Sequence, residues 1–217
     1  CFGHGTGVAG VLGGTTTGVA KGVTIVPVKV LDCFGHGDDS TVIAGIDHVV
    51  ADHKAGSPAV ANLSVAGKYS TTLNAAVQGL IADGVTVVIA SGNSGVDACT
   101  VSPGSLTTAI TVGATTSSDV EASFSNTGKC VDILAPGQGI RAPYPFVTRT
   151  RVTPSDVTYT SESGTSFATS FVAGAAVLEL QRNPSLTPAQ VAANLVSSAT
   201  TGALTVARGS PNRLLYL

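Results

Sequence analysis

Residues 166–181 are apolar almost all the way round, with Phe167, Val172, Ala173, Ala176, Val177 and Leu180 leaving no polar stripe. A helix of that kind cannot lie on a surface, so the rest of the chain has to be built around it. Pro184 stops it, and Thr187-Pro188 starts a last helix running to about Ser198. The central helix opens with Ser163-Gly164-Thr165-Ser166-Phe167-Ala168. Ser166 therefore falls where backbone N–H groups lack intrahelical partners and the helix dipole is positive.

Upstream, apolar β-branched runs alternate with helical periods. Strands are expected at 23–31, 59–65, 85–90 and 109–114, and helices at 40–52 and 71–83, the latter stopped by Gly84. Such alternation predicts an α/β fold in three layers, a mostly parallel central sheet with helices on both faces. Sites in such sheets lie beyond the carboxyl ends of the strands, where Asn93 follows the third one. Residues 141–162 hold three prolines and no clear period, and read as a surface insertion whose Tyr144 and Phe146 either touch substrate or cover the core, the second reading being favoured.

The 217 residues fit a single domain with a sizeable core. With 11% charged residues and a formal net charge of −2, neither a disordered chain nor a basic nucleic-acid binder is indicated. The longest apolar runs are too short to span a membrane. No large exposed apolar stripe stands out, which points to a monomer. Four cysteines allow three pairings, and their even number suits an oxidising compartment.

Chemistry-bearing residues sit far apart in sequence. Gly3-His4-Gly5-Thr6 supplies an imidazole and Ala90-Ser91-Gly92-Asn93 a carboxamide, to set beside the Ser166 hydroxyl. Nucleophile, base and oxyanion donor are the parts of acyl transfer through an activated serine. All four histidines (His4, His36, His48, His53) precede the serine, so the α/β-hydrolase order cannot be built. The chymotrypsin order is arithmetically open, but helical periods around 42–54 and 166–181 disfavour a pair of β-barrels.

These motifs, with Val28-Lys29-Val30-Leu31-Asp32, Ala61-Asn62-Leu63-Ser64, Phe124-Ser125-Asn126 and Ala135-Pro136-Gly137, occur in one order along nearly the whole chain. In this the chain resembles the subtilisin-like serine proteases of the proteinase K type, and within them the aqualysin-like secreted enzymes. The resemblance implies a secreted endopeptidase of broad, mainly apolar specificity, with Ser166 as nucleophile, His4 as general base and Asn93 as oxyanion donor. It implies that peptide substrate lies between Ser64-Val65-Ala66-Gly67 and Gly35-His36-Gly37, with Ala90-Ser91-Gly92 walling the pocket before the scissile bond. Asp38 and Asp39 would favour basic side chains at outer subsites.

The resemblance further implies disulfides Cys1–Cys33 and Cys99–Cys130. No cofactor is implied for catalysis, but a structural calcium is, on the Asp132 carboxylate and the carbonyls of Thr107 and Ala109. The family's catalytic aspartate lies some tens of residues before the histidine, so the resemblance implies an N-terminally incomplete domain and impaired turnover. The sequence departs from the family pattern at Gly7 (usually histidine), Ala66 (usually glycine) and Ser170-Phe171 (usually Pro-His).

Two other readings stand beside the protease. Cys1-Phe2-Gly3-His4-Gly5 is echoed by Cys33-Phe34-Gly35-His36-Gly37, and two Cys-x-x-His pairs could hold a structural zinc. A catalytically dead relative or fragment would only bind peptides.

Overall fold

The strand Thr86–Ala90 is buried at every residue, and its alternate side chains enter two different cores. Val87 and Ile89 join Val42, Ile46, Leu73, Val77 and Leu80, whereas Val88 joins Val112, Ile133, Val172, Ala176, Val191 and Leu195. A strand's period of two makes this division. It defines three layers: a sheet with helices on each face.

The computed structural model describes residues 3–148, 151–153, 158–206 and 209–217, and the side chains of 146–148 and 151–153 lie outside this description. Its helices are α1 (His4–Gly13), α2 (Asp39–Asp52), α3 (Thr71–Ala82), α4 (Thr165–Arg182) and α5 (Pro188–Ser198). The strands are β1 (Val60–Leu63), β2 (Gly67–Lys68), β3 (Thr86–Ala90), β4 (Val101–Ser102), β5 (Ile110–Thr115), β6 (Ile133–Pro136), β7 (Ile140–Pro143), β8 (Phe146–Thr148), β9 (Arg151–Thr153), β10 (Tyr159–Glu162), β11 (Thr200–Thr201) and β12 (Arg213–Leu214). The main sheet runs β1-β3-β5-β6-β12-β11. Its pairs are parallel except β11–β12. Helix α4 packs against β1, β3, β5, β6 and α1, as its all-round apolar surface requires.

One expectation needs correction, and two further segments form structure that their sequence did not announce. Residues 23–31 form no strand: 23–30 carry no strand pairing, and Ile25 and Val26 are 41% and 68% exposed. β-Branched residues favour a pleated surface only when a neighbour completes the ladder, and β1, paired with β3 on one side, has no described strand on the other. The segment instead leans on α2, where a Cβ on Gly45 would come 2.5 Å from Val30 Cγ1.

Residues 4–13, glycine-rich and without an apolar period, nevertheless form α1. Tertiary approach decides this: a Cβ on Gly10 would lie 2.0 Å from Pro143 Cγ, so α1 meets β7 only because that position is bare. Finally, 141–162 is strand-rich. β7 and β10 pair antiparallel, as do β8 and β9, and Ala142 is fully buried among Val8, Val11 and Phe167. Phe146's side chain lies outside the described residues.

Candidate active site

Ser166 is the second residue of α4, after Gly164 at the N-cap. Helix geometry leaves its N–H without an intrahelical acceptor. The residue is 7% exposed. Its carbonyl accepts from the hydroxyls of Ser64 (3.0 Å) and Ser170 (2.9 Å), and its own Oγ makes only a long 3.4 Å contact to the Ser64 carbonyl. The hydroxyl is thus weakly held while the backbone beneath it is pinned. Asn62 adds to the pinning by donating from Nδ2 to Ser64 Oγ at 2.9 Å.

The Asn93 side chain is oriented by its oxygen. Oδ1 accepts from the Thr165 N–H and the Thr165 hydroxyl, each at 2.8 Å. That commitment assigns the amide and leaves Nδ2 as the group free to donate into the cavity. A Cβ on Gly164 would stand 3.4 Å from Asn93 Nδ2 and 3.8 Å from the Ser166 nitrogen, so glycine keeps the approach to both donors open.

His4 begins α1, and its ring meets Phe167 edge-on at 6.0 Å between centroids. Burial pushes the imidazole below its ordinary range, and the negative charge of Glu162 offsets part of that push. A neutral imidazole is the form that accepts a proton. Helix α1 packs on α4, so the histidine is brought to the start of the serine helix by the packing of two helices far apart in sequence.

His4, Asn93 and Ser166 line one cavity of about 550 Å³, together with Gly35, His36, Gly37, Ser64, Val65, Ala66 and Gly67. A second, of about 530 Å³, shares Ser166, Asn93 and residues 64–67 and adds Ala90, Gly92 and Asn126. Ser91 reaches neither. It is fully buried, and its hydroxyl donates to the Asn126 carbonyl at 3.1 Å, so it braces the wall rather than forming it.

Several residues escaped the sequence. Asn126 holds the 91–96 turn, accepting from Ser94 and Val96 N–H and donating to the Ser91 carbonyl at 2.8 Å; only its presence in a resembling segment hinted at it. Glu162 and Tyr144 line the larger cavity. Tyr144 was expected to cover the core, yet its ring sits over Gly3, where a Cβ would be 2.7 Å from Cζ. For Tyr144 this is the less favoured of the two sequence readings; nothing local signals it for Glu162.

Asp38 and Asp39 do line the cavity, but Asp38 Oδ1 already accepts from Ser40 and Thr41 in capping α2. The departures from the family pattern fit together locally. A Cβ on Gly7 would be 3.2 Å from Phe167, so a larger residue there would crowd the helix behind the serine, and Phe171 packs partly buried in the same cluster.

Cys99 and Cys130 form a disulfide. Cys33 is also disulfide-bonded, and Cys1 lies outside the described residues. The disulfide removes the Cys33 thiolate that the zinc reading needs, and no group of three or more His, Cys, Asp or Glu residues suited to a metal occurs among the described residues. Asp132 lies apart from both cavities, beside the start of β5. Its Oδ2 accepts from Thr111 N–H at 2.8 Å, and burial raises its pKa against the opposing charge of Arg213. The half-buried Asp132 carboxylate and the carbonyls of Thr107 and Ala109 would make an oxygen-only donor set, the kind that suits a hard cation such as calcium.

A family description, "Subtilase family" of peptidases S8, matches residues 1–214. The "Extracellular serine proteinase" of Thermus sp. (strain Rt41A) is 54% identical over all of this chain and half of its own length. "Alkaline serine exoprotease A" of Vibrio alginolyticus is 50% identical over all of this chain and 38% of its own length. The crystal structure of a cold adapted subtilisin-like serine proteinase superposes with a TM-score of 0.92 at 48% identity, covering the whole chain and 75% of that one. The chain thus spans half or less of the two curated relatives' length.

Proposed function

Since the chain belongs to the subtilase family of serine proteases, we propose that it carries the working face of a secreted endopeptidase that cleaves peptide bonds through an acyl-enzyme at Ser166. The observation that carries this is the single cavity lined by His4, Asn93 and Ser166 at the amino end of α4. Ser166 Oγ attacks the scissile carbonyl carbon while His4 takes its proton. Asn93 Nδ2 and the Ser166 N–H stabilise the oxygen as its charge grows. His4 then protonates the departing amine, and water, deprotonated by His4, releases the acid product and restores the hydroxyl.

Substrate would run as an added strand along Ser64–Gly67, with Gly35–Gly37 on its other side. Its residue before the scissile bond would enter the pocket between Ala90, Gly92 and Asn126. The small side chains of Ala90 and Gly92 support a broad, apolar preference there. Secretion is supported by the Thermus relative named as extracellular and by the disulfide Cys99–Cys130.

The carboxylate that orients the general base in this family would come from outside these 217 residues, on a strand laid between β1 and the 23–30 segment. Three features support this placement. β1 ends the sheet, Val26 is exposed, and Asn62 Oδ1 on β1 is buried with no hydrogen-bond partner. A buried acceptor left unpaired costs about 1–3 kcal/mol, so a donor on a neighbouring strand fits it. Calcium on Asp132, Thr107 and Ala109 would steady the β5–β6 end of the sheet and take no part in the chemistry.

Labelling of the full-length protein with an organophosphonate serine probe tests the protease reading. Modification of Ser166 is expected in the wild type and lost in H4A. A folded but unlabelled full-length protein would leave a peptide-binding relative instead.

A further inference from the structure

The two cavities divide the site into sides. Ser166 and Asn93 border both, whereas His4, Tyr144 and Glu162 border only the larger one. The group that leaves first receives its proton from the histidine, so the residue after the scissile bond lies on the His4 side of Ser166. Of the three carboxylates that border only the larger cavity, Asp38, Asp39 and Glu162, Glu162 is the one whose charge acts on the His4 imidazole.

Its placement is built in. Glu162 ends β10, opposite Ile140 of β7. The Thr160 hydroxyl, two residues back on the same strand face, donates to Glu162 Oε1 at 2.6 Å. A hydroxyl fixes the carboxylate without neutralising it. Arg141, the cation of the ribbon, stands opposite Ser161 and therefore on the other face. There its guanidinium lies 4.2 Å over the Tyr159 ring. No lysine or arginine among the described residues lines the cavity or forms an ion pair with Glu162.

An anionic side chain that is held in place, half-buried and without an ionic partner among the described residues wants a cation, and the substrate is what passes it. Given the proteolytic reading above, on which this step depends, we propose that Glu162 selects a lysine or arginine as the first residue on the leaving-group side of the cleaved bond. Asp38, which lines the same cavity, is a weaker selector, because its carboxylate is engaged in capping α2.

Three peptides identical except for Lys, Gln or Glu at the first leaving-side position test this with the full-length protein. For a partly exposed ion pair, kcat/KM is expected to fall in that order, with Lys over Glu by about three- to tenfold. The ratio should narrow as salt rises. E162Q should bring it near one, and E162R should invert it so that the Glu peptide is cut faster. Equal cleavage of all three peptides by the wild type, or an order untouched by E162R, overturns the assignment while leaving the protease intact. Failure to cut any of them, with Ser166 unlabelled by the serine probe, removes the proteolytic reading and this inference with it.

Discussion

Asn93 shows how much one side chain's orientation matters. Thr165 holds its oxygen twice, through the backbone N–H and the hydroxyl, so replacing Thr165 with valine removes one of the two bonds that orient the amide, and replacing Asn93 with alanine removes the donor outright. In subtilisin itself, loss of the oxyanion asparagine lowers turnover about 10²–10³-fold, and N93A is expected to do the same here with little change in KM, read by steady-state kinetics. A turn residue would instead shift only the melting temperature. His4 sets the pH dependence. Only its neutral form accepts the Ser166 proton, so activity falls as pH drops through its pKa, and burial places that limb below the ordinary imidazole value of about 6.5. Glu162 favours the charged ring, so E162Q should move the limb further toward acid; a limb that stays in place would show that the carboxylate does not act on His4.

Between elements, α2 and α3 are tied at their carboxyl ends by His53. Its Nδ1 meets Asp83 Oδ2 at 2.6 Å and its Nε2 meets the Ser57 carbonyl at 2.9 Å. Both partners are acceptors, so both ring nitrogens donate and the ring is held as imidazolium. The Ser57 carbonyl first and then Asp83 raise its pKa. A raised pKa in the folded state means the tie is complete below the unfolded value of about 6.5 and is lost as pH climbs through the folded one. The melting temperature of the wild type should therefore exceed that of D83N most near about pH 6, and the gap should shrink by about pH 9. At α5, the reciprocal bonds of Thr187 and Gln190 make T187A a loss of about 1 kcal/mol by denaturant melts.

At the scale of the whole molecule, the sheet carries a half-buried acid just before its inner strand β6 and, among the described residues, ends at β1. Calcium bound at Asp132 would stabilise the folded state by mass action, so a chelator should lower the melting temperature of the wild type and leave D132N unmoved. Melting curves with and without chelator decide it. Under the proposed placement of the acid on a strand beside β1, a longer protein supplying that strand is expected to resist unfolding better and to turn over peptide faster than these 217 residues alone. Equal turnover of the two in a peptide assay would end that placement of the acid.

What the sequence determined by itself were the features that repeat or punctuate: the all-round apolar helix, the buried strands β3 and β5, and the strand–helix alternation that makes an α/β sheet. Each is a local regularity that burial on a given face imposes, and each is readable one window at a time. His4, Asn93 and Ser166 could be named from their motifs, but not their cavity, because three separate segments meet there only through the packing of α1 on α4. The same holds for α1, which forms where glycines permit close contact with Pro143. It holds for 23–30 too, whose β-branched residues have the right preference and no neighbour to pair with. Glu162 and Tyr144 are the clearest case: β7 and β10 must pair before either reaches the catalytic cavity, and pairing between distant segments leaves no mark in the residues themselves.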